Sequence, residues 1–156
     1  MQAAAIKAQL LKHLKGGEAF MPVEDLLEKV KYKRIGERPV GLPYSFYEVF
    51  YHMFYAQRDL LDFCTAESYK TPSWPKDYWP SEKTAETKEE WQALKQDFFK
   101  DRNALVAFIE NTETDLLGIA KHGEKQQILR ELMLAIEHNA YHLGQLVIIA
   151  RLLGLH

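Results

Sequence analysis

Residues 126–153 read QQILRELMLAIEHNAYHLGQLVIIARLL, the longest uninterrupted helical pattern in the chain. Apolar side chains recur along this stretch at intervals of three and four residues, and no proline interrupts them. Gly154 follows directly, and glycine commonly ends a helix. We predict a helix from about Gln126 to Leu153.

The rest of the chain divides into further helices and carries no strand signal. Ser45 with Glu48 and Thr87 with Glu90 form two capping boxes, which mark helix starts. The predicted helices span 1–15, a short segment beginning at Pro22, 45–64 and 87–111, and one further turn is expected at 115–118. The sequence therefore predicts an all-α protein.

The four long helices favour a four-helix bundle within one domain, residues 1–156. The segment 65–86 contains Pro72, Pro75 and Pro80 and is unusually long for a connection in a compact domain. We expect it to cross the length of the bundle, which makes the second and third long helices parallel.

Composition excludes several classes of protein. The chain has 156 residues, 47% hydrophobic and 27% charged, with a formal net charge of -2, so a nucleic-acid partner is not expected. One cysteine excludes an internal disulfide and a cysteine-rich zinc site. The apolar run 146–150 is too short to cross a bilayer, and no signal-peptide core is present. We expect a protein of the cytoplasm without a membrane partner.

Two histidines dominate the long C-terminal helix. His138 and His142 are four residues apart and therefore share one face of the helix, with Ala135 and Ile149. Paired imidazoles suit zinc, nickel, copper or iron, but two ligands rarely suffice. His52, in the middle of another predicted helix, is the candidate for the third. Spacing alone leaves open that these are hydrogen-bonded core histidines.

The remaining reactive side chains are not expected to bind a metal. His13 and His156 are expected in solvent, and His122 on a loop. Cys64 lies near the apolar face of its helix and is expected to be a small buried side chain. No general base stands out, and the candidates are Glu131, Glu48 and Tyr55.

Four segments resemble those of the DinB-like (YfiT-like) metalloenzyme family. They are GLPYS (41–45) leading into YH (51–52), YWP (78–80), HNAYHLGQ (138–145) and RLLG (151–154). The resemblance covers nearly the whole chain. It implies a bundle in up-down-down-up order and one divalent metal per chain, held by His52, His138 and His142. Zinc and nickel are favoured, and manganese and iron are further candidates.

The resemblance also implies a function. Three neutral imidazoles leave metal positions open for water or substrate, which is typical of a catalytic site. We expect a metal-dependent enzyme of the thiol-transferase or hydrolase kind, since some relatives resemble thiol transferases and others share the fold of maleylpyruvate isomerases. The alternative is a non-enzymatic metal- or ligand-binding protein of a stress response.

For a small-molecule substrate, such as a low-molecular-weight thiol, the expected surroundings are aromatic and basic. Tyr44, Trp74, Tyr78 and Trp79 are the candidates for a pocket roof. An acidic thiol would be met by the basic residues before His52, which are Lys33, Arg34 and Arg38.

The end of the last predicted helix indicates association. Residues 143–153 are apolar on nearly every side, and Arg151 is their only charge. A helix of this kind must be covered on all faces. We expect a homodimer, with the crossover segment as the alternative cover.

Overall fold

The computed structural model describes residues 2–155, and this part of the chain is all-helical. Its five α-helices are α1 (Gln2–Lys15), α2 (Val23–Lys29), α3 (Phe46–Thr65), α4 (Lys88–Glu110) and α5 (Ile128–Leu152). Two short 3-10 turns, Tyr32–Arg34 and Lys76–Tyr78, lie in the connections. No strand occurs within these residues, only one isolated bridge between Ile119 and Gln127. The all-α prediction is confirmed.

Both predicted capping boxes are present. The Ser45 hydroxyl accepts a hydrogen bond from the Glu48 amide, and the Glu48 carboxylate accepts one from the Ser45 amide; Thr87 and Glu90 do the same. The glycine that ends α5, Gly154, has a positive φ of 64°. The structure thus places these helix ends within one or two residues of the predictions. Met1, the predicted start of the first helix, lies outside the described residues.

The start of α5 was predicted two residues early. Gln127 has extended backbone angles because residues 126–128 pair with the preceding loop. The Ala120 amide donates to the Gln126 carbonyl at 2.8 Å, and the Ile128 amide donates to the Gly118 carbonyl at 3.0 Å. The turn expected at 115–118 is present, closed by a bond from the Gly118 amide to the Asp115 carbonyl.

The helices pack in a defined order. α3 contacts α4 and α5, and α1 contacts the same two helices from the other side. An aromatic core at one end is built around Phe50, whose ring centroid lies 5.2 Å from those of Trp91 and Phe98. A smaller aliphatic core at the other end includes Leu105 and Ile109. This packing brings the middle of α3 against the middle of α5.

The apolar end of α5 is only partly covered. Leu143, Leu146 and Ile149 are buried, whereas Ile148 and Leu152 are exposed. Within residues 2–155, no helix combines the length and apolar character needed to cross a membrane.

Candidate metal centre

Three histidines from two helices meet between α3 and α5. His52 lies on α3, and His138 and His142 lie one turn apart on α5. Each offers a ring nitrogen within 4.8 Å of the other two, and the Nε2 atoms of His52 and His138 are 3.1 Å apart. The residues brought together are the three that the sequence and the resemblance indicated.

Hydrogen bonds orient two of the three rings. Nδ1 of His52 lies 3.1 Å from the Tyr78 carbonyl oxygen, and Nδ1 of His142 lies 2.7 Å from Oε1 of Gln145. Both partners are acceptors, so each Nδ1 carries the hydrogen and each Nε2 keeps its lone pair. On each helix, these bonds therefore leave one ring nitrogen, Nε2, with a lone pair that could bind a metal ion.

His138 is the least satisfied of the three. Its Nδ1 is buried and has no hydrogen-bond partner among residues 2–155. Its Nε2 meets the lone pair of the His52 Nε2. Since buried polar atoms are usually paired, His138 is the ring whose hydrogen bonding is incomplete among the described residues.

Burial keeps all three imidazoles neutral near pH 7. Desolvation lowers the pKa of His52 to about 4 and the pKa of His138 to about 3, with a further lowering from the neighbouring histidines. Desolvation also lowers the pKa of His142, opposed by its bond to Gln145. Neutral imidazole is the form that binds a metal.

The donor set fits a divalent ion. Two nitrogens at ~2.1 Å from an ion with tetrahedral geometry lie about 3.4 Å apart. The 3.1 Å between the His52 and His138 Nε2 atoms is close to that separation. A cation bound among the three rings would account for the facing Nε2 atoms of His52 and His138; an imidazole presents one nitrogen to an ion, so Nδ1 of His138 would not contact the same ion.

Aromatic rings from the crossover segment enclose the cluster. Trp79 stacks on His52 with ring centroids 4.2 Å apart and planes nearly parallel, and Trp74 and Tyr78 lie at 5.9 and 6.3 Å. Tyr44, also predicted for the roof, packs instead on the aromatic core. His52 is 2% and His142 6% exposed, whereas Trp74 is 67% exposed and forms the outer rim.

A carboxylate anchors this roof to α3. Asp59 accepts hydrogen bonds from the hydroxyls of Tyr69 at 2.7 Å and Tyr78 at 2.5 Å. The Tyr78 carbonyl orients His52. Asp59 therefore anchors the segment that fixes the orientation of this histidine.

The other histidines and the cysteine lie apart from the cluster. His122 is hydrogen-bonded to the Ala66 carbonyl at 2.8 Å, beyond the end of α3. His13 is exposed as predicted, and His156 lies outside the described residues. Cys64 is buried as predicted, and burial, with the charge of Glu131, raises the pKa of its thiol to about 12.

None of the candidate bases is free beside the histidines. Glu48 belongs to the cap of α3 and pairs with Arg38. Glu131 is buried and pairs with Arg130. Burial raises the pKa of Tyr55, which disfavours its basic form.

The basic residues proposed for an acidic thiol are largely engaged. Arg34 pairs with Glu37, and Arg38 pairs with Glu48. Lys33 is exposed.

Three supporting contacts were not predicted. They are the Tyr78 carbonyl, the Gln145 amide and the edge of Tyr141, whose ring lies 4.8 Å from that of His142. Of these contacts, only that of Gln145 could have been inferred from the sequence, because Gln145 lies three residues after His142 on the same helix.

The chain is thus a helical protein with a candidate divalent-metal site, which is formed by three neutral imidazoles between two helices. The family model described as the DinB superfamily matches residues 19–146, and the chain belongs to that superfamily. All three histidines lie inside the matched range. Searches among curated proteins and among solved structures each returned no match.

Proposed function

We propose that the chain is a metal-dependent enzyme that holds one divalent ion with His52, His138 and His142. The observation that carries this proposal is the convergence of three neutral imidazoles, each with a ring nitrogen within 4.8 Å of the other two. Zinc and nickel are the favoured ions, with manganese and iron as further candidates. When bound, such an ion lowers the pKa of a coordinated water or thiol and polarises carbonyl groups.

The chain itself positions the site and shields it. The Tyr78 carbonyl and Gln145 hold two imidazoles with their Nε2 lone pairs turned to the cluster. Trp79 excludes water from one side of His52 by stacking on it. In a site shielded from water, electrostatic effects are stronger than in solution.

The reaction we favour is thiol transfer, with hydrolysis as its variant. Trp74 and Tyr78 offer aromatic walls to an apolar electrophile, and their rings are 5.1 Å apart. The thiol sulfur would bond to the electrophilic carbon, the leaving group would depart, and the thiol proton would pass to solvent. Solvent is the acceptor because Glu48, Glu131 and Tyr55 are not available as bases.

An assay on the metal-loaded protein tests this. Low-molecular-weight thiols are incubated with an electrophilic aryl halide, and an activated ester tests hydrolysis, with zinc, nickel, manganese and iron in turn. Turnover should depend on metal, disappear in His52→Ala and persist in the matched control His13→Ala. Equal rates in the unmodified protein and His52→Ala, for each substrate and metal, would overturn the enzymatic proposal.

One observation favours a second candidate, a non-enzymatic metal-binding protein. His52 and His142 are almost completely buried, and an ion among them has little access to solvent. Exchange of bound metal with a strong chelator separates the two: an open catalytic site should exchange within minutes, whereas a closed site should not.

We also propose that α1, α3, α4 and α5 form one four-helix bundle domain in up-down-down-up order. Contacts between α3 and α4 advance in the same direction, from Phe50 with Trp91 to Arg58 with Asp101, which supports a parallel pair. Contacts between α3 and α5 advance in opposite directions, since His52 meets His142 and Gln57 meets Asn139.

A further inference from the structure

One face of α5 is apolar and uncovered. Its four large apolar side chains are between 54% and 64% exposed: Met133, Tyr141, Ile148 and Leu152. Their spacings keep them on one side of the helix. Together with Glu137, Gly144 and Arg151, which lie between them and are also exposed, they form what we call the α5 outer stripe.

The crossover segment does not cover this stripe. It folds onto α3 instead, through the bonds of Tyr69 and Tyr78 to Asp59. Large exposed apolar side chains grouped on one helix face are typical of an interaction surface. The alternative cover considered from the sequence is therefore excluded within residues 2–155.

We propose that the α5 outer stripe binds a second copy of the chain, with the two α5 helices antiparallel about a two-fold axis at Gly144. Glu137 and Arg151 each lie seven residues from Gly144, on opposite sides. An antiparallel partner then sets Glu137 beside the partner subunit's Arg151, and the symmetry forms this ion pair twice. Within residues 2–155, neither side chain forms an ion pair in the single chain.

Gly144 supports this crossing point independently. A Cβ added there would meet no atom within 4 Å, and its φ is not positive. Glycine inside a helix costs about 1 kcal/mol relative to alanine, so neither the packing of the chain nor its backbone conformation explains the residue. A close approach of two helices does, because the interaxial distance depends on the side chains at the contact.

The surface beside the stripe has room for the partner. Met133 and Ile136 border an open apolar groove of about 690 Å³ between α1 and α5, with Ile6 on its far side. This groove runs along the side of the stripe that faces α1.

Charge reversal tests the register. Glu137→Arg and Arg151→Glu should each weaken the dimer at least about tenfold, because like charges then face each other twice. The double variant Glu137→Arg/Arg151→Glu restores opposite charges and should restore the dimer. Sedimentation over a dilution series distinguishes the 18.2 kDa chain from its dimer, and circular dichroism checks that each variant is folded.

Two further variants test the apolar contact. Ile148→Asp and Gly144→Leu should weaken the dimer at least about tenfold, and Gly144→Leu leaves the monomer intact because its side chain meets no neighbour. The matched control is Leu117→Asp, an equally exposed apolar residue outside the stripe, which should leave the dimer unchanged. A monomer at every concentration, or a dimer unaffected by Ile148→Asp and both single charge reversals, would overturn the proposal.

Discussion

Gln145 sets the orientation of a histidine that the sequence marks as a metal ligand. Its Oε1 accepts the hydrogen of His142 Nδ1, and its Nε2 donates to the Tyr141 hydroxyl at 3.2 Å. Gln145→Ala should weaken metal binding roughly 10- to 100-fold, because the ring is then free to turn. Competition with a chelator measures the affinity. Gln92→Ala, an exposed glutamine on α4, is the control, and an unchanged affinity in Gln145→Ala would refute this role.

The three histidines were predictable from the sequence, but their supports were not. His138 and His142 are one helical turn apart, so any helix places them together. The Tyr78 carbonyl that orients His52 is a backbone group, and every residue carries one. Only the path of the crossover segment selects it, and that path depends on contacts such as the one between Tyr78 and Asp59.

The pKa values of the buried histidines set the pH range of metal binding. Protons compete with a metal only below the pKa of the folded protein. Because burial lowers that pKa to about 4 for His52 and to about 3 for His138, the protein should retain its metal at about pH 5.5, below the ~6.5 of free histidine. Metal analysis after dialysis at a series of pH values checks this, and release centred near pH 6.5 would contradict it.

The same shifts act on the metal-free fold with a definite sign. The unfolded histidines titrate near 6.5, so between about 6.5 and 4 the unfolded state binds more protons than the folded state. The stability contributed by the neutral histidines is present above pH 6.5 and is lost as pH falls through this range. The urea midpoint of metal-free protein should therefore decrease from pH 7 to pH 5. His52→Ala/His138→Ala should decrease less, and an equal decrease in both would refute the assignment.

At the scale of elements, the crossover segment behaves as part of the site. Tyr78→Phe removes one of the two hydroxyls on Asp59 and should reduce the free energy of unfolding by about 1 kcal/mol. It should also weaken metal binding, since the Tyr78 carbonyl orients His52. Urea denaturation and chelator competition measure the two effects. Tyr51→Phe is the matched control, because the Tyr51 hydroxyl has no hydrogen bond in the described part of the chain. If Tyr78→Phe bound metal as tightly as Tyr51→Phe, the crossover segment would not contribute to the site.

Where a helix start carries a local sequence signal, the prediction was accurate. The start of α5 carries no such signal and was predicted less well. Ser45 and Thr87 fix the starts of α3 and α4 through bonds to residues three positions later, which the sequence displays. The start of α5 depends on Gln127 pairing with Ile119 across a loop. A pairing between two short irregular segments has no periodic pattern that a sequence could reveal.

At the scale of the whole molecule, a bound ion would join α3 to α5. An ion that binds the folded chain but not the unfolded one stabilises it by about 2.7 kcal/mol at a hundredfold excess over Kd, which corresponds to a rise in Tm of about 5–10 °C. Thermal unfolding with and without zinc or nickel measures the shift. His138→Ala/His142→Ala should show almost none, and an equal rise in that variant would mean that the ion binds elsewhere.

The central claim is that three histidines from two helices hold one metal ion, and metal content tests it most directly. The protein is loaded with zinc or nickel, dialysed and analysed by mass spectrometry. We predict about one ion per chain in the unmodified protein and in His13→Ala, and loss of most of it in His138→Ala and in His142→Ala, because two imidazoles chelate poorly. Full metal content in the double variant His138→Ala/His142→Ala would contradict the account.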